Sequence, residues 1–188
     1  MTQLMLKFCE KNNIHNCELQ PILINNKIIE GYSISRDGTV YSHYKPRLPS
    51  SGSGYIIDYS YKKKLAKANN NGYKIVNLYF KDDFYDDDYE YKRSKGGTQN
   101  KNFRIHILVM DSFKPFDQFL PPSIQEYAEY YNSLPEGFKF IIRQSFLVHH
   151  IDHDKSNNSI DNLERVTSIE NARAALKFYN ETGSLNDI

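Results

Sequence analysis

The 188-residue chain has a mass of 22.0 kDa, 39% apolar and 14% aromatic residues and a formal charge of +1, which favours a folded protein over a disordered one and suits one domain or two small lobes. Its two cysteines, Cys9 and Cys17, give neither a disulfide framework nor zinc-finger spacing, which fits a reducing compartment. No apolar run reaches membrane length, and the N-terminus lacks the basic and apolar regions of a signal peptide, so a soluble, intracellular protein is expected.

Leu4, Met5, Leu6 and Phe8 suggest a short helix, and residues 22–24 a strand. Over residues 29–42 (IEGYSISRDGTVYS), Ile34, Val40 and Tyr41 flank Arg36-Asp37-Gly38-Thr39, and Asp-Gly between alternating apolar residues signals a β-hairpin. Residues 46–54 are loop material, residues 55–61 a further strand, Asn69-Asn70-Asn71-Gly72 a turn, and residues 73–80 (YKIVNLYF) a strand. The near-neutral total hides an uneven distribution. Between Gly31 and Val76, eight basic residues (Arg36, Lys45, Arg47, Lys62, Lys63, Lys64, Lys67 and Lys74) face two acidic ones, Asp37 and Asp58. Such a region gives sequence-independent affinity for phosphates, and tyrosines interleaved with lysines suit sugars, phosphates or unstacked bases. The balance reverses at Asp82, Asp83, Asp86, Asp87, Asp88 and Glu90, read as a solvated loop rather than a second metal site.

Residues 94–102 (SKGGTQNKN) read as a flexible connection, followed by a helix over residues 103–113 with Ile105, Leu108, Val109 and Phe113 on its core-facing stripe and Pro115 beyond its end. Ser123 and Glu126 have capping-box spacing ahead of Tyr127, Ala128 and Tyr131, predicting a second helix to about Ser133. Residues 138–142 read as a strand. The 121–143 stretch is expected to pack against the core as an insertion.

Residues 146–178 (FLVHHIDHDKSNNSIDNLERVTSIENARAALKF) carry the chemistry. A strand over 146–150, a polar loop over 151–161 and a second strand over 162–167 precede a helix that opens near Ser168, where Thr167 and Glu170 form a capping-box pattern and Ala172, Ala174, Ala175 and Leu176 favour helix. Asn171 falls in its first turn. His149 and His150 end the first strand, where a straight backbone would send them to opposite faces.

The run VHHIDHDKSNNSIDNLERVTSIEN resembles the ββα-metal core of HNH endonucleases, particularly the phage and intron-encoded homing group. The match lies in the doubled histidine before Ile151, the Asn157-Asn158 pair, Asn162-Leu163-Glu164 with Val166-Thr167, and Glu170-Asn171. Upstream, Tyr32, Ile34, Ser35, Gly38, Val40 and Ser42 resemble the small β-rich DNA-binding module that precedes such cores, and Arg104 and His106 an R-x-H-x-L-V helix found before them.

The resemblance implies a fold and a chemistry. The fold expected is α+β: a β-rich basic DNA-binding region over residues 1–100, connecting helices and the insertion over 101–145, and a C-terminal ββα-metal nuclease core over 146–188. His150 would be the general base, with an ordinary pKa of ~6.5 close to working pH. His149 and the side-chain oxygen of Asn171 would hold one divalent ion, Mg²⁺ or Mn²⁺, and Asn162 would tie the loop to the base. An imidazole at position 149 favours Mn²⁺ or another transition ion. His106 would brace the hairpin, with a phosphate contact as the other reading; His153 and Asp152 or Asp154 could also reach the ion, but in so polar a loop they are expected to be solvated or near DNA. Arg36, Lys45, Arg47, Lys62, Lys63, Lys64 and Lys67 would bind double-stranded DNA, with no membrane and no obligate protein partner. Because ten residues follow the helix, nicking or loosely specific cutting is expected rather than recognition of a long target. The alternatives are a non-cleaving DNA-binding protein of the same fold, a structural zinc module on His149, His150 and His153, and an RNA substrate. The abundance of Asn, Lys, Ile and Tyr fits an AT-rich genome, with a virus among the sources.

Overall fold

The computed structural model describes residues 18–24, 26–47, 54–81 and 98–183. The expected helix at Leu4 to Phe8, the acidic run from Asp82 to Glu90, both cysteines and most of the 46–54 loop lie outside these residues. The architecture is α+β, strand-rich in the first half and helix-rich in the second.

Strands β1 (Leu19–Ile24), β2 (Lys27–Ser35), β3 (Val40–Ser42) and β6 (Lys63–Lys64) form one antiparallel sheet in the order β1-β2-β3-β6. The hairpin expected at Asp37-Gly38 forms, with Tyr32 opposite Ser42 and Ile34 opposite Val40. Gly38 has a φ of +79°, a geometry that L side chains rarely adopt, and Asp37 closes the turn by accepting from the Thr39 amide at 3.0 Å. A two-stranded ribbon pairs β4 (Tyr44–Pro46) with β5 (Tyr55–Ile57), so the strand expected over 55–61 is cut short, and a turn begins where the Asp58 side chain accepts from the Ser60 amide. His43, passed over in the sequence, is 1% exposed; its Nδ1 lies 2.7 Å from the Tyr61 carbonyl and its Nε2 2.8 Å from Ser33 Oγ. Burial holds its pKa below the ordinary histidine value.

β7 (Ala68–Asn70), β8 (Tyr73–Lys81) and β9 (Thr98–Arg104) make a three-stranded sheet. β9 corrects the expected flexible connection: the long edge of β8 takes a partner strand, in register from Ile75 opposite Arg104 to Lys81 opposite Thr98. Helix α1 is consequently shorter than expected, Ile105–Phe113, because Phe103 and Arg104 belong to the strand. It buries Ile105, Leu108, Val109 and Met110 against Ile22, Ile29, Ile34, Val76 and Leu78, and Ser112 Oγ accepts from the Leu23 amide at 3.1 Å. Ile160 and Leu163 of the C-terminal region complete the same core.

After α1, residues 122–127 form a 3₁₀ turn led by Pro121 and Pro122, and α2 (Ala128–Ser133) follows. The Ser123/Glu126 capping box does not form; the turn begins at the proline pair with no side-chain cap. The strand expected over 138–142 is instead inside helix α3 (Glu136–Gln144). Pro135 and Glu136 supply a helix start, and Arg143 in the last turn bonds both carboxylate oxygens of Asp117, at 2.9 and 3.1 Å. Tyr131, 2% exposed, donates to the same carboxylate at 2.5 Å, so these helices are anchored to the body of the molecule. Among the described residues no helix is long and apolar enough to cross a membrane.

The chain closes with β10 (Phe146–His150), β11 (Leu163–Thr167) and α4 (Ser168–Thr182). The β2–β3 turn docks on the loop between β10 and β11: the Ile160 amide donates to the Arg36 carbonyl at 2.9 Å, and Arg36 pairs with Asp161 at 2.8 Å. A Cβ at Gly38 would lie 2.9 Å from both Asn158 Cβ and Ile105 Cγ2. Gly38→Ala is therefore expected to cost about 1–3 kcal/mol through overpacking and the unfavourable φ, measured by chemical denaturation.

Candidate active site

The site is built on the β10–β11 hairpin, in register from Phe146 opposite Thr167 to His150 opposite Leu163. At its open end the chain turns sharply: the Ile151 amide donates to the Asn162 carbonyl at 2.9 Å and the His153 amide to the His150 carbonyl at 3.0 Å. The two histidines face different sides, His149 toward α4 and His150 toward α1, yet both line one cleft of about 480 Å³. The two rings turn apart, as a straight strand requires, and each lines that cleft.

Helix α4 enters through a complete capping box. The Glu170 amide donates to Thr167 Oγ1 at 3.2 Å, and the Thr167 amide donates to Glu170 Oε2 at 2.7 Å. That fixed first turn sets Asn171 within hydrogen-bonding reach of the His149 ring. The His153 ring stands edge-on to His149, with centroids 5.0 Å apart.

His150 is 4% exposed. Its Nε2 lies 3.4 Å from Asn158 Oδ1, and the Asn158 amide is oriented by its own Nδ2 donating to the Ser156 carbonyl at 3.0 Å. An amide oxygen can only accept, so in the neutral ring Nε2 carries the hydrogen and Nδ1 keeps its lone pair. Burial lowers the His150 pKa, partly offset by the Asn158 bond and by Asp152. Burial also lowers that of His149, followed by its neighbour His153. Both rings are therefore neutral near pH 7.

Asn162 pins the loop one step away from the His150 ring. Its Oδ1 accepts from the Asp152 amide at 3.1 Å, while its Nδ2 donates to Asp152 Oδ1 at 2.7 Å and to the Asn157 carbonyl at 3.0 Å. The ring itself meets Asn158. Behind it lies His106, 3% exposed, with centroids 4.9 Å from His150 and 4.9 Å from Tyr73. Burial, then the nearby His150 and Arg104, push the His106 pKa down to about 3. On acidification below the ordinary ~6.5 the unfolded chain takes up a proton that the folded chain refuses, so this residue withdraws stability at up to about 1.4 kcal/mol per pH unit until about 3. Unfolding curves collected from about pH 7 down to about pH 4 should show that slope, and His106→Phe should flatten it.

The N-terminal half also reaches the cleft. Tyr73 at the start of β8 carries the Arg104 guanidinium 4.8 Å and the Lys155 ammonium 5.3 Å from its ring centre, and all three line the cleft. Asn158 was noted in the sequence only as part of the Asn157-Asn158 pair, and neither Tyr73 nor Lys155 was placed at the site; the Tyr73 ring lies 6.1 Å from that of His150 and 4.9 Å from that of His106 on α1. The basic residues singled out in the sequence are dispersed. Arg36 is paired with Asp161, Lys45 with Asp58 at 3.2 Å, and Lys67 is half-buried near Asp37. Lys62, Lys63, Lys64 and Arg47 are exposed, Lys63 and Lys64 forming the β6 edge.

Among the described residues no three His, Cys, Asp or Glu side chains converge to enclose an ion. This leaves the zinc reading without its third imidazole, because His150 turns away from the His149–His153 pair toward His106. The donor set beside the cleft, an imidazole and an amide oxygen, fits a hard divalent cation that keeps most of its water.

The family model for "HNH endonuclease" matches residues 128–173, spanning α2, α3, the hairpin and the first turn of α4. Over this stretch the chain is similar to the HNH endonucleases. The match to the HNH model begins inside the helices that the sequence reading set apart as an insertion. No curated protein matches the sequence. Among solved structures, "DNA binding and cleavage by the HNH homing endonuclease I-HmuI" aligns with a TM-score of 0.43 and 20% identity over 86% of this chain. The chain spans 59% of that protein's length.

Proposed function

We propose that the protein is a metal-dependent HNH endonuclease that hydrolyses DNA phosphodiester bonds. The observation that carries this is the convergence of His149, His150 and Asn171 on one cleft, inside the stretch that matches the HNH family model. The neutral His150 ring, with Nε2 directed to Asn158, presents Nδ1 to a water and takes its proton as the oxygen attacks phosphorus. His149 Nδ1 or Nε2 and Asn171 Oδ1 would hold the divalent ion. When bound, the ion supplies positive charge for the phosphate and for the leaving 3′ oxygen. Asn162 keeps the loop that follows the base in one conformation, and His106 backs the base from the core.

Lys63 and Lys64 on the exposed β6 edge, together with the exposed Lys62 and Arg47, would supply phosphate contacts, with further ones from Lys45 and Lys67; Arg36 serves to dock the N-terminal turn on the active-site loop. A small set of surface cations gives affinity with little sequence discrimination, which favours nicking or loosely specific cutting. Incubation of supercoiled plasmid with the protein and EDTA, Mg²⁺ or Mn²⁺ tests the reading. Ion-dependent conversion to open-circle or linear DNA is the expected result. DNA retarded in a gel but left intact under every ion would instead identify a non-cleaving binder.

A further inference from the structure

His153 is the one non-glycine residue other than Asn that takes a positive φ among the described residues, at +62°. That left-handed conformation is taken most easily by glycine and asparagine. Here it brings the side chain of an otherwise exposed polar loop back into the cleft, against the expectation that His153 is solvated. The ring is then held on two sides: Phe178 of α4 stacks on it at 4.2 Å, and His149 meets it edge-on at 5.0 Å with an interplanar angle of 76°.

The His149–His153 spacing is informative. Two imidazoles sharing one ion at a metal–nitrogen distance of about 2.1 Å have ring centroids roughly 4.6–5.3 Å apart for ligand angles of roughly 90–110°. The observed 5.0 Å falls within that interval before any ion is considered. Asn171 hydrogen-bonds His149 and lines the same cleft.

We propose that His153 is a further ligand to the ion held by His149 and Asn171, so that two imidazoles and one amide oxygen select a transition ion such as Mn²⁺ or Co²⁺ over Mg²⁺. This rests on the reading of His149 and Asn171 as an ion site. Imidazole nitrogen raises affinity for first-row transition ions, whereas Mg²⁺ favours oxygen and gives up its water reluctantly.

The test is ion binding by DNA-free protein, read by calorimetry for Mg²⁺, Mn²⁺ and Co²⁺ and by the visible absorption of bound Co²⁺, in wild type, His149→Ala and His153→Gly. Glycine suits the left-handed backbone, so the His153→Gly protein should keep its melting temperature, which is recorded in parallel. Loss of a direct ligand should weaken Co²⁺ and Mn²⁺ at least as much as the ~10-fold typical of losing an outer partner, leave Mg²⁺ unchanged and alter the Co²⁺ spectrum. Unchanged Co²⁺ affinity and spectrum in His153→Gly, with binding lost in His149→Ala, would overturn the role of His153 and leave the ion site standing. Wild type that binds no ion would overturn both.

Discussion

Replacing His150 with alanine is expected to slow plasmid cleavage by about 10²–10⁴-fold, the usual contribution of a positioned general base, while gel-shift affinity for the same DNA is retained. The ring sits at the end of β10 with 4% exposure, and its Nε2 is committed to Asn158. The neighbouring imidazoles are engaged elsewhere: His106 lies on the core side, packed on Tyr73, and His149 faces α4. The pH profile offers a second check on the same residue. A base must be deprotonated to act, and burial lowers the His150 pKa, so the acid limb of the cleavage rate should lie below the ordinary histidine value of ~6.5 and vanish in His150→Ala.

Arg165→Met should be the most damaging substitution away from the cleft chemistry, lowering stability by about 2–4 kcal/mol, less than the full cost of stranding a buried charge because the Asp111 side chain is 32% exposed. Arg165 on β11 is 7% exposed in its side chain. It donates to Asp111 Oδ1 at 2.7 Å and to the Lys114 carbonyl, and lies 5.4 Å from the centre of the Phe116 ring. Burial raises the Asp111 pKa while Arg165 opposes it, so the aspartate depends on its partner to stay charged. For a chain of this size the loss corresponds to roughly 4–16 °C in melting temperature. Arg165→Met combined with Asp111→Leu should recover much of it, since an apolar pair of similar volume avoids the stranded charge. Because Arg165 fastens β11 to α1, the single variant should also lose cleavage by displacing Thr167 and the capped turn that carries Asn171.

The C-terminal hairpin and helix were legible because their determinants are local. Each strand is a five-residue run bounded by a polar loop on one side, and Thr167 and Glu170 lie three apart, so the bonds that open the helix need no distant partner. The Asp37-Gly38 hairpin was legible for the same reason. Residues 138–142 misled because Phe-Lys-Phe opens like an alternating strand, whereas Pro135 ahead and the Arg143–Asp117 bonds behind favour a helix. β9 was hidden because its composition, Thr-Gln-Asn-Lys-Asn, is that of a loop; the edge of β8 makes it a strand. In the site, residues 149, 150 and 171 could be grouped through one hairpin and one helix. Tyr73 and Asn158 could not be placed, because their proximity to His150 depends on α1 and on contacts between segments that no periodicity links. The lysines were visible as a charge excess, but only the fold separates Arg36 and Lys45, already paired, from the exposed β6 edge.

The seat of the β2–β3 turn on the loop bearing Asn158 has a bearing on synthesis. Arg36 and Asp161 are 125 residues apart, and Gly38 lies directly against Asn158. A chain emerging from the ribosome presents the turn long before the loop that must settle on it, so the partner of His150 acquires its position only after both segments are available. The surroundings of the His150 ring are thereby tied to synthesis of both segments, and a prematurely terminated product that lacks the second has neither Asn158 nor the seat on which the turn rests.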